Sequence, residues 1–257
     1  ILLGTVVGVV VALLVGMVAI VILIAQGTVD VFQDASATAE ELAARLIEQP
    51  VMFLANNLIL AALIPISMLS VWVCHRWRPG WVSSVAPRLR WRWMALAFLI
   101  CLPVYALLNG IAIALDGGLT WQIDPTAVTL AVIILLTTPL QAAGEEYMFR
   151  GLLTQTIGSW IARPLAAVLV SAVATGLLFA AVHGLGADQD GWLFLGRFVY
   201  GLAFSYVTWQ TGGLEAAIAI HSVNNMAIMV PMALSGGLGA AVAQSESSWG
   251  GALTSVL

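Results

Sequence analysis

The chain has 257 residues, 61% of them hydrophobic and only 9% charged, with a formal net charge of −4. Its mean hydropathy of +1.01 excludes an ordinary soluble domain and indicates a polytopic membrane protein. The two cysteines carry no redox argument, because Cys74 sits at a membrane edge and Cys101 inside an apolar run, too far apart in setting to pair.

Apolar runs near the ~20 residues that cross a bilayer lie at Leu2 to Ala25, Val51 to Val73, Trp93 to Leu115, Ala127 to Trp160, Leu165 to Gly184, Trp192 to Thr211 and Leu214 to Leu234. They predict an all-α transmembrane bundle of seven spans. The last stretch, GLGAAVAQSESSWGGALTSVL, leaves room for an eighth. The first run lacks a charged n-region and an A-x-A-like end, so it reads as a retained span and not as a signal peptide. Residues 1–126 form the N-terminal part and 127–257 the part that carries the ionisable motifs, within one membrane domain.

Between the first two spans, DASATAEELAARLIEQP predicts a short amphipathic helix on the membrane surface. Thr38 is its N-cap with Glu41 three residues on, Leu42, Ala43, Leu46 and Ile47 form its apolar face, and Pro50 closes it. After the second span, Arg76, Arg78, Arg88, Arg90 and Arg92 crowd one loop in a chain without lysine. The positive-inside rule puts that loop, and with it the N-terminus, in the cytoplasm. Trp77, Trp81, Trp91 and Trp93 alternate with these arginines, which marks an interface belt and not a nucleic-acid surface.

The fourth run contains Pro139, expected to kink the helix about a turn before GEEYMFRG. Ionisable groups in spans are costly and point to function by default, and three places hold them: Glu145, Glu146 and Arg150; His183, with Phe179 one turn before it; and His221, with Asn224 and Asn225. Glu146 and Arg150 are four apart in the favourable order for a helical pair. Glu145, about 100° round the helix, is left free for chemistry. His221 and Asn225 share a face at the same spacing, and Asn224, three from His221, is a rival for that role. Taken singly, each group has a structural reading, as interhelical hydrogen bonding or helix-end marking. Taken together, an acid or base, an imidazole and a donor pair favour function.

The ordered segments EEYMFR (145–150), FAAVH (179–183) and HSVNN (221–225) resemble the EExxxR, FxxxH and HxxxN/D motifs of the type II CAAX prenyl endopeptidases and their bacterial relatives, the CPBP intramembrane proteases. The likeness runs from Ala127 to about Leu234. It implies hydrolysis of a peptide bond in a membrane-anchored peptide or protein, inside a cavity open to the cytoplasm. By that likeness Glu145 activates water together with His183, His221 and Asn225 form the oxyanion hole, Arg150 holds the motif through Glu146, and Phe179 shields the imidazole. No cofactor is expected. Zinc is the rival, with Glu145, His183 and His221 as three ligands and one open position, although the chain has no H-E-x-x-H helix.

Two other classes of function compete: a non-catalytic membrane scaffold or immunity-type partner of another membrane protein, and a proton-coupled transporter. Counting along helices from Arg163 and Gly213 puts Glu145, His183 and His221 at depths of roughly 27, 30 and 12 Å. A single site therefore requires that the chain between the fourth and fifth spans run partly along the interface.

Overall fold

A computed structural model describes residues 15–23, 39–115, 117–183 and 191–239. Among them the regular structure is helical: α1 (15–23), α2 (Ala39–Ile47), α3 (Pro50–Ala61), α4 (Leu63–His75), α5 (Trp91–Leu115), α6 (Pro125–Glu146), α7 (Thr154–Ser159), α8 (Pro164–Val182), α9 (Gly191–Thr211) and α10 (Glu215–Ser235). Most of the first expected span, the Thr38 cap and the stretch offered as an eighth span lie outside the described residues.

Five helical segments among the described residues are long and apolar enough to cross a membrane: Pro50–Cys74, Trp91–Leu115, Pro125–Ser159, Pro164–Val182 and Glu215–Ser235. The first joins α3 to α4, and the third runs from α6 through α7. At 21 residues α9 has the length of a span, but Arg197, Ser205, Thr208 and Gln210 make it more polar than those five. The amphipathic segment forms α2, with Glu41 and Arg45 exposed and Leu42, Leu46 and Ile47 half-buried. Ile47 packs on the cluster of Phe53, Leu130, Ile134, Ala233 and Leu238, so α2 rests on the end of the bundle formed by α3, α6 and α10.

α6 begins at a polar cap, where Asp124 Oδ1 accepts from the Ala127 N–H at 2.8 Å and Pro125 occupies the first turn. The helix stays α-helical through Pro139. Its departure from α geometry comes later, over Tyr147–Leu153, which is π-helical. Such wide turns are frequent at functional sites, and this one follows the two glutamates directly. Thr154 satisfies a carbonyl in the widened turn, its hydroxyl donating to the Phe149 oxygen five residues back at 2.8 Å.

α10 is the central element, packed on α5, α6 and α9, while α3 lies against α6 and α8 against α9. Its first half is buried from Glu215 to Ala219 and again from His221 to Val223. Two glycines allow close helix approach where the site lies. At Gly144 a Cβ would collide with the Leu60 carbonyl oxygen of α3, and at Gly201 it would meet the Gly176 Cα of α8 at 2.7 Å.

The segment between α4 and α5 does more than connect them. After a 3₁₀ turn at Pro79–Val82, its backbone pairs with the α9–α10 turn, Val85 N–H donating to the Gly212 carbonyl and Leu214 N–H to the Ser83 carbonyl, both at 2.9 Å. The Ser83 hydroxyl lies 2.7 Å from the Tyr147 hydroxyl in the π-helical turn. Arg90 donates to Glu215 from Nη2 at 2.7 Å, from Nε at 3.0 Å and from its backbone N–H at 2.8 Å. The hydrogen bond to Glu215 holds the Arg90 guanidinium above the ordinary arginine range. This segment is a bracket between the end of α6 and the start of α10.

Candidate active site

Glu145 and Glu146 end α6, His183 follows the last residue of α8, and His221 lies in the second turn of α10. Parallel helices starting at one level would separate the two histidines by roughly 20 Å along the bundle. Instead their Nε2 atoms stand 3.8 Å (His183) and 3.6 Å (His221) from Glu145 Oε2. α8 therefore does not start level with α10. The short α7 and the turn over residues 160–163 take up the difference.

The two glutamates are both buried and each has an Oε2 without a hydrogen-bond partner among the described residues, but their other contacts differ. Glu146 is fully buried, and its Oε1 accepts from Arg150 Nη1 at 3.0 Å and from His221 Nδ1 at 2.8 Å. Arg150, also buried, donates through Nη2 to the Gly201 carbonyl at 3.3 Å, the contact that the Gly176–Gly201 approach permits. Its guanidinium carbon lies 4.5 Å from the Phe179 ring centre and 5.1 Å from that of Phe204, so aromatic faces replace water around the cation. Glu145 Oε1 accepts from Gln141 Nε2. Its other oxygen, Oε2, is buried and has no hydrogen-bond partner among the described residues.

Hydrogen bonding at the far nitrogens sets what the imidazoles present to that oxygen. His183 Nδ1 lies 2.7 Å from the Phe179 carbonyl, which can only accept, so Nδ1 carries the proton and the neutral ring shows a bare Nε2 to Glu145. His221 Nδ1 donates in the same way to the Glu146 carboxylate, leaving its Nε2 bare in the neutral ring. A carboxylate oxygen and two nitrogen lone pairs thus converge with no donor among them. The separations exceed hydrogen-bond length but suit one bridging water.

Aromatic rings fix both imidazoles. The Phe179 ring centre is 4.2 Å from that of His183, and Phe204 stacks on His221 at 5.1 Å with 25° between planes. The His183 side chain remains 32% exposed, against 4% for His221, so His183 borders the opening to the cluster.

Asn225 reaches the cluster through Gln141, donating from Nδ2 to the Gln141 Oε1 at 3.3 Å, while Asn224 Nδ2 donates to Asn225 Oδ1 at 3.4 Å. Gln141 therefore joins Glu145 to Asn225 by one carboxamide. Sequence reasoning passed over it, although its place four residues before Glu145 on one helix was the signal. Phe204 and the Arg90–Glu215 pair were missed as well, since nothing local in the chain marks them. No group of three or more His, Cys, Asp or Glu among the described residues is arranged to hold a metal ion.

Residues 126–227, which hold every residue of this cluster, match a family model described as type II CAAX prenyl endopeptidase Rce1-like, so the resemblance carried by the three motifs is shown over that stretch. The uncharacterized protein YyaK of Bacillus subtilis (strain 168) is 30% identical over 100 residues. That alignment covers 38% of this chain and 32% of YyaK, so the chain spans about a third of that relative's length. No solved structure matches the chain.

Proposed function

We propose that this chain, similar over residues 126–227 to the Rce1-like type II CAAX prenyl endopeptidases, is an intramembrane endopeptidase that hydrolyses a peptide bond in a membrane-anchored peptide or protein. The observation that carries the proposal is the buried, unpartnered Oε2 of Glu145, faced by two imidazole nitrogens within 4 Å. A water in this gap donates its two protons to two of the three acceptors, and a proton on His221 Nε2 turns the third into a donor.

In this mechanism the water donates one hydrogen bond to Glu145 Oε2 and the other to His183 Nε2. Glu145 takes the proton as the water oxygen attacks the scissile carbonyl carbon. The carbonyl oxygen becomes an oxyanion, held by the second N–H of Asn225 Nδ2 and by His221 Nε2–H. Donation from Nε2 requires the imidazolium, whose counter-ion is Glu146 at Nδ1. Collapse of the tetrahedral intermediate breaks the C–N bond, and the proton on Glu145 passes to the leaving amine. The products are one carboxylic acid, which gives up its remaining proton to solvent, and one amine, with no covalent enzyme intermediate.

Arg150, through Glu146, keeps His221 oriented, and Gln141 turns Glu145 so that Oε2 faces the histidines. With the Arg-rich bracket on the cytoplasmic side, substrate enters from that side. The rival zinc reading would use Glu145, His183 and His221, and metal analysis decides it. The principal test is turnover of a membrane-anchored peptide by purified protein, read by product mass, beside Glu145→Ala and His183→Ala. Undiminished turnover in both variants would end the proposal.

A further inference from the structure

Apart from the Glu145 cluster, a cavity of about 550 Å³ opens between the bracket, α7, α8 and α9. That volume falls in the ~300–1,000 Å³ range of ligand pockets. Its walls are mainly apolar, and Arg150 borders both the cavity and the cluster. Trp77, Trp81 and Trp209 line it and are 61%, 43% and 51% exposed, which places three indoles at its rim. Indoles at that level are expected where headgroups meet acyl chains.

The same segment displays charge. Of the four arginines in it and Arg92 just inside α5, Arg90 turns inward to Glu215, while Arg76, Arg78, Arg88 and Arg92 are exposed and make no ion pair among the described residues. Arginines grouped beside a membrane span attract anionic lipid. Hydroxyl-bearing side chains such as Thr154, Ser171 and Thr208 also line the cavity, but most of its lining surface is apolar, which suits a hydrocarbon chain.

We propose that this cavity binds an anionic phospholipid, with one acyl chain inside, the indoles at the level of the glycerol, and the phosphate against the exposed arginines of the bracket. Two features that membrane topology alone does not require to coincide, an apolar chamber and a set of unpaired cations, meet here on one short segment.

The test is native mass spectrometry of the full chain, equilibrated in mild detergent with an equimolar mixture of phosphatidylglycerol and phosphatidylcholine of identical acyl chains. The expected result is retention of phosphatidylglycerol roughly tenfold over phosphatidylcholine. Arg76→Gln, Arg78→Gln and Arg88→Gln combined should bring the two lipids toward parity. Gly158→Leu and Ala172→Phe, which fill the cavity from different helices, should abolish retention of both. At Gly158 an added Cβ meets only the Ala167 Cβ at 3.9 Å, so that variant keeps the fold even where Ala172→Phe does not. Equal retention of the two lipids by the unaltered chain would overturn the proposal. So would phosphatidylglycerol retained by Gly158→Leu as in the unaltered chain, since binding would then belong to the arginines alone. Lipid retention is read without turnover, so this result stands apart from that of the peptidase test.

Discussion

His221 Nδ1 lies 2.8 Å from Glu146 Oε1, a contact between residues 75 apart in the chain. It ties the central helix to the end of α6 and gives the two adjacent glutamates different work. Each keeps a buried Oε2 without a hydrogen-bond partner among the described residues, but Glu146 is tied to Arg150 and His221 through Oε1, while the Oε2 of Glu145 is faced by the Nε2 atoms of both histidines.

Glu145→Ala and Glu146→Ala should therefore separate activity from stability. The first should abolish turnover and leave the unfolding midpoint near that of the unaltered chain. The second should abolish turnover and also cost about 3–5 kcal/mol, because it strands the buried Arg150 charge. Thermal unfolding in detergent beside a turnover assay checks the pair. Equal destabilisation by both would contradict the division of roles.

The two asparagines of α10 are distinguished by a single comparison. Asn225→Ala should lower kcat by about 10²–10³-fold, the loss expected for one oxyanion donor, with little change in KM. Asn224→Ala should stay near the unaltered rate, since Asn224 Nδ2 donates only to Asn225 Oδ1. The reverse order would move the donor to Asn224.

Gln141→Leu removes the carboxamide between Glu145 and Asn225 without a large change of volume. The expected effect is a fall in kcat of about 10- to 100-fold at nearly constant KM, because the loss is felt in the transition state. Steady-state kinetics on a membrane-anchored peptide measures it. A change confined to KM would show that Gln141 touches substrate instead.

Arg90 and Glu215 should be unequal partners. Arg90→Ala leaves a fully buried carboxylate unpaired, whereas Glu215→Ala leaves a guanidinium that is 28% exposed and can reach water. Arg90→Ala should be the more destabilising, and the double variant should recover part of that loss. Unfolding midpoints of the three variants test this. Additive losses would mean that the pair does not act as a unit.

Exhaustive dialysis against a strong zinc chelator should leave turnover unchanged, and metal analysis of active protein should find zinc well below one per chain. Turnover that falls on dialysis and returns with added zinc would favour the zinc reading.

What was legible in the chain follows from the range of each interaction. Apolar runs report helices because burial in lipid demands them, so α3 to α10 lie close to the expected positions. Glu146 and Arg150 could be paired from spacing because four residues on a helix are neighbours. The π-helical turn at Tyr147–Leu153 was not legible, because no local residue pattern announces it. His221 to Glu146 and Arg90 to Glu215 join residues 75 and 125 apart, so only the packed bundle reveals them. The depths counted from helix lengths disagreed because they assumed level starts, which α8 does not share with α10.

The bracket of residues 76–90 lies outside the apolar spans yet joins Tyr147 to Ser83 and Arg90 to Glu215. The height of α10 against α6, and so the gap between Glu145 and His221, is held from the aqueous edge of the molecule. A nick, an antibody or a bound macromolecule at this loop would reach the buried chemistry without entering the bilayer. The proposed centre would then have its control handle outside the apolar helices.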